Sequence, residues 1–74
     1  MPTYYFDTQD GVPVRDRTGL IFASGGAAIE HSKQVALAMR NESRATHKDL
    51  QVIVLDESGR EIHREAVYPA AAGR

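Results

Sequence analysis

The chain has 74 residues, nine basic and ten acidic side chains, a formal net charge of −1, and neither cysteine nor tryptophan. That length bounds it to one domain with a small core, and the missing cysteines exclude disulfides and thiolate-held zinc or iron–sulfur clusters. The charge balance argues against a strongly basic nucleic-acid binder, and no apolar run approaches the ~20 residues of a membrane-spanning helix.

Met1 to Asp10 carries two aspartates and no long apolar run, so it does not read as a signal peptide, and the expected location is the cytoplasm. Thr3 to Asp7 reads Thr-Tyr-Tyr-Phe-Asp, a short strand by its aromatic content. Alternation puts Tyr4 and Phe6 on one side of it and Tyr5 on the other. Asp10-Gly11 signals a turn. Val12 to Arg15 is a second strand, and Pro13, which has no N–H, suits a sheet edge. After the polar turn Asp16-Arg17-Thr18-Gly19, the run Leu20-Ile21-Phe22 is expected to return the chain to the core.

Ser24 is a good N-cap for a helix running from Ala27, where neither Gly nor Pro recurs until Gly59. Ala28, Ser32, Val35 and Met39 form its apolar stripe, flanked by Ile29 and Ala36. The helix is expected to fade between Asn41 and Thr46. Leu50 to Val67 then predicts a β-hairpin about Asp56-Glu57-Ser58-Gly59. Val52 and Val54 share one face of its first strand, and Gln51, Ile53 and Leu55 the other. On the return strand Ile62, Arg64 and Ala66 alternate with Glu61, His63, Glu65 and Val67. Residues 69–74 are expected to fray.

The predicted fold is α+β: a single domain over residues 1–74, a small antiparallel sheet with one helix on one face, in ββαββ order. One helix covers one face only. Tyr5, Ile53 and Leu55, together with Val67, would lie on the other, where an antiparallel sheet facing water is usually polar. Such a patch suggests an interface, first of all with a second copy of the chain, so a homodimer is expected. The bland alternative is that Ile53 and Leu55 are strand formers covered by the stems of Arg64, His63 and Glu65 or by the tail.

No catalytic constellation is visible. His31, His47 and His63 have no ligand spacing, so no metal or other cofactor is expected. Asp7, Asp10 and Asp16 sit in or beside turns, where aspartate serves local hydrogen bonds. Ser24-Gly25-Gly26 reads as a capped helix start rather than a phosphate loop. Arg40, Arg44 and Lys48 would form a short basic edge if the helix persisted, diluted by Glu42 and Asp49.

The order Met1-Pro2-Thr3-Tyr4-Tyr5-Phe6-Asp7, Asp10-Gly11, Asp16-Arg17-Thr18-Gly19, Ser24 with Ala27-Ala28, and Asp56-Glu57-Ser58-Gly59-Arg60 resembles a family of small uncharacterised domains of unknown function, frequent in soil-dwelling alphaproteobacteria such as rhizobia. The resemblance implies no activity and no site. Members tend to be more polar at the positions of Ile53 and Leu55, which supports an apolar second face here. A more distant similarity is to HicB-type antitoxin domains, which bind a toxin partner, but their Pro-Asp-Leu-Pro-Gly segment is missing. The expected function is therefore a non-enzymatic protein acting through protein–protein contacts. An antitoxin-like or nucleic-acid-associated module using the Arg40 edge is the alternative.

Overall fold

The two terminal strands are joined by the turn that the Asp56 side chain builds. Its Oδ1 accepts the amides of Ser58 and Arg60 at 2.9 and 3.0 Å, and Gly59 takes the positive φ of 87° that closes the turn. The computed structural model describes residues 1–42 and 49–68. Over these the elements are β1 (Thr3–Gln9), β2 (Pro13–Val14), β3 (Leu20–Ile21), α1 (Gly25–Glu42), β4 (Gln51–Leu55) and β5 (Glu61–Ala66). The sheet is antiparallel in the order β2-β1-β4-β5, with β3 also pairing β1. One helix packs against it, as the α+β reading requires; the additional strand is β3. The expected tail and the expected end of the helix beyond Glu42 lie outside the described residues.

The helix starts as its sequence predicts. Ser24 Oγ accepts the Ala27 amide at 3.2 Å and the Ser24 carbonyl accepts Ala28 N, so the serine caps the first turn. Ala28, Ser32 and Ala36 are completely or almost completely buried, and these small residues let the helix lie close to the sheet. The Ser32 hydroxyl is satisfied within the helix, donating to the Ile29 carbonyl at 2.5 Å. Ala36, Leu50, Val52 and Val67 form one end of the core; Tyr4, Ala28 and Val54 form the other. Phe6 packs against both and joins them.

β5 contains a bulge. Val54 pairs with His63, but the next residue, Leu55, pairs with Glu61, which leaves Ile62 as an extra residue. Ile62 packs beside Tyr4, Ala28 and Val54 on the helix side. Beyond it the alternation resumes out of phase with the sequence count. His63 and Glu65 pair with Val54 and Val52 and so share their face. Val67 follows them inward and is fully buried with Ala36, Leu50 and Val52. This corrects the expectation that Val67 lies on the second face: a strict period of two carried across a bulge assigns the wrong side.

β2 and β3 occupy the two ends of one edge of β1. β2 pairs Thr8 and Gln9, β3 pairs Thr3 and Tyr4, and the Phe22 amide continues the edge by donating to the Pro2 carbonyl at 3.2 Å. Leu20 and Ile21 do not return to the core, as their composition suggests; they are 47% and 64% exposed, and only Phe22 turns inward. Each of these strands is two residues long and has sheet on one side only.

Candidate interaction surface

The second face of the sheet is assembled by register. Tyr5 lies opposite Leu55, Asp7 opposite Ile53, Ile53 opposite Arg64, and Leu55 opposite Glu61. Tyr5 and Leu55 are half-buried, while Ile53 is only 7% exposed. Its neighbour Arg64 explains the burial. The guanidinium is held at both ends, by Glu61 at 2.7 and 3.1 Å and by Gln51 Oε1 at 2.7 Å. This fixes the aliphatic stem of Arg64 across β4 beside Ile53. The same contact holds the Glu61 carboxyl below its ordinary pKa and raises that of Arg64.

The β2–β3 connection covers Tyr5 from the other side. Gly19 has φ 73°, and a Cβ built there would fall 2.9 Å from Tyr5 Cε2 and 2.7 Å from Thr3 Cγ2. The turn therefore lies directly on these side chains, and only glycine fits it. Tyr5, Ile53 and Leu55 do share a face, but the chain itself covers much of it. Of the stems expected to cover Ile53, only that of Arg64 lies on its face; His63 and Glu65 stand on the helix side, opposite Val54 and Val52, and the tail lies outside the described residues.

The exposed apolar surface lies elsewhere. Val12, Val14, Leu20 and Ile21 are 69%, 61%, 47% and 64% exposed, and all belong to the segment along the outer edge of β1. Val14 and Leu20 pair with Thr8 and Tyr4 and so sit on the helix side; Ile21 pairs with Thr3 and sits on the other. The segment is anchored by Asp16. Its Oδ2 accepts the Phe6 amide at 3.1 Å, its Oδ1 accepts Thr18 N and Gly19 N at 3.0 and 3.2 Å, and its own amide donates to Asp7 Oδ1 at 2.9 Å. Partial burial opposes ionisation of Asp16, but the amides of Thr18, Phe6 and Gly19 outweigh it and hold the carboxyl below its ordinary pKa.

Sequence reasoning places Pro13 at a sheet edge but misses that Leu20 and Ile21 share that edge and lie exposed, because two-residue strands have no periodicity to read. The signal read in the sequence is Pro13, which marks an edge, between turns at Asp10-Gly11 and Asp16–Gly19.

The other candidates have local roles. Arg40 Nε donates to the Val67 carbonyl at 2.6 Å and so ties the helix to the end of β5. Arg44, Lys48 and His47 lie outside the described residues. His31 stands edge-on to Phe6, with ring centroids 5.1 Å apart, and 5.2 Å from Phe22. His63 Nε2 meets Glu65 Oε1 at 2.8 Å. Among the described residues no group of three or more His, Asp or Glu is placed to hold a metal, and no helix is long and apolar enough to cross a membrane.

The model of a family described as a domain of unknown function, DUF6894, matches residues 3–67. No curated protein and no solved structure matches the chain.

Proposed function

This chain belongs to the DUF6894 family, a domain of unknown function, and we propose that it is a non-enzymatic interaction module that self-associates as a homodimer. The observation that carries this reading is the grouping of Val12, Val14, Leu20 and Ile21, four of the six large hydrophobic side chains exposed among the described residues, along one edge of the sheet. Exposed apolar side chains gathered along one edge suit a contact surface. We place the protein in the cytoplasm, which suits a chain without cysteine, and this role requires no cofactor.

The geometry favours contact through side chains over extension of the sheet. At the outer edge of β1 the Asp16 carboxylate already takes the Phe6 amide. At the opposite edge, β5 is bulged and carries Glu61, Arg64 and Glu65, devices that discourage strand addition. Sedimentation or light scattering across a concentration series tests the proposal. A dimer in the wild type and a folded monomer in the double variant Val14→Ser, Ile21→Ser are expected. A wild type that stays monomeric at every concentration overturns it.

A further inference from the structure

The turn between β1 and β2 joins an aspartate to a glycine. Asp10, Gly11 and Val12 connect the two strands outside the ladder, and each is exposed. Gly11 has a φ of 97°, a conformation that glycine adopts without a steric cost, and a Cβ built on it meets nothing within 4 Å. The aspartate carboxyl thus adjoins the one kind of peptide nitrogen that no side chain of its own residue shields, with open space around it. Asp7, Asp16, Asp49 and Asp56 precede Thr8, Arg17, Leu50 and Glu57, whose side chains crowd the following amide.

We infer that Asp10–Gly11 is a site of spontaneous covalent modification, where aspartate rearranges to isoaspartate through a cyclic imide and the lengthened turn releases β2 from β1. The Gly11 nitrogen attacks Asp10 Cγ. A C–N bond forms, and the carboxyl hydroxyl leaves as water with the amide proton. Water then opens the five-membered imide at either carbonyl. Attack at Cγ restores aspartate. Attack at the Asp10 main-chain carbonyl breaks its bond to the Gly11 nitrogen and frees an α-carboxylate, so that the chain now runs through Cβ and Cγ. The water lost in the first step is regained in the second, and no redox partner enters.

The product carries an extra methylene in the main chain between Asp10 and Gly11. Hairpin register depends on loop length, and β2 is poorly placed to absorb a change. It is two residues long, and its pairs with β1 are Thr8 with Val14 and Gln9 with Pro13, directly beside the turn. The rest of the segment keeps its anchors, because Asp16 accepts the Phe6 amide and β3 pairs Thr3 and Tyr4. The rearrangement therefore loosens the strand that carries Val14 while the remaining sheet and the helix persist.

The test ages the folded protein at neutral pH and body temperature beside the same chain unfolded in guanidinium chloride. The control is Asp10→Glu, which keeps the charge but would have to close a larger ring. Isoaspartate is counted by methyl transfer from labelled S-adenosylmethionine with an isoaspartyl methyltransferase and located by electron-transfer fragmentation. It is expected at position 10, at a rate in the folded chain within about tenfold of the unfolded one, because an exposed turn gives little protection. The label is expected to be lost in Asp10→Glu. Formation more than about tenfold slower in the folded chain, or a label that persists in Asp10→Glu, overturns the site. In the aged fraction, separated by ion exchange, hydrogen exchange is expected to quicken at Thr8 and Val14 and to stay unchanged over β4 and β5. Unchanged exchange at Val14 overturns the release of β2.

Discussion

The Phe6 amide is satisfied by the Asp16 carboxylate at 3.1 Å, at the one stretch of the outer β1 edge that neither β2 nor β3 reaches. A side chain thus completes a ladder that backbone completes elsewhere. Because the same carboxylate gathers Thr18 N and Gly19 N, it also sets the turn that presents the exposed segment. Asp16→Ala should cost about 1–3 kcal/mol, the range for losing hydrogen bonds to a charged group, measured by urea denaturation. An unchanged midpoint would show that the loop holds its place without the carboxylate.

The pH dependence follows from the same site. The folded pKa of Asp16 is depressed, so its contribution is present above the unfolded carboxylate value and is lost as pH falls through the folded one. Asp56 and Glu61 shift in the same direction. Thermal stability should therefore fall as pH drops below about 4, near the unfolded carboxylate value, and Asp16→Asn should flatten part of that slope. An identical slope in the variant would assign the acid sensitivity to other groups.

Gly19 and Gly11 form an internal comparison. Both have positive φ, 73° and 97°, but a Cβ at Gly11 meets nothing within 4 Å, whereas one at Gly19 strikes Thr3, Tyr5 and the Tyr4 carbonyl. Alanine at position 11 should cost the conformational penalty alone, about 1–2 kcal/mol. Alanine at position 19 should cost an overpacking term of about 1–3 kcal/mol in addition. Equal melting temperatures for the two variants would contradict the close approach of this turn to the sheet.

Val67→Ala tests the bulge. A fully buried valine truncated to alanine loses about 2 kcal/mol once the cavity is counted. On an open face the change would stay within about 0.5 kcal/mol. Arg40→Ala should also destabilise, by about 1–3 kcal/mol, because it releases the Val67 carbonyl from its donor. A neutral Arg40→Ala would leave that arginine available for the basic-edge role instead.

Elements with local chemistry were legible in the sequence. The Asp56–Gly59 turn, the Ser24 cap and the small-residue stripe of the helix all follow from side chains acting within a few residues of themselves. What failed to show depends on distant partners. Nothing in Glu61 to Val67 announces that Ile62 is an extra residue, because the bulge exists only relative to β4. Ile53 reads as an apolar side chain on a wet face until Arg64 is seen held by Glu61 and Gln51. Leu20 and Ile21 read as core because composition cannot distinguish a strand with sheet on both sides from one at the rim.

The bulge at Ile62 has a consequence for folding fidelity. A hairpin of regular alternation can slide by two residues and still point its apolar side chains the right way. β5 cannot, because its phase changes at Ile62, between Glu61 opposite Leu55 and His63 opposite Val54. A two-residue slide would set the extra residue against an ordinary stretch of β4 and turn part of the strand inside out. The hairpin therefore has one productive alignment, and the irregularity that hides Val67 from a reader of the sequence keeps the folding chain from settling into a near-miss.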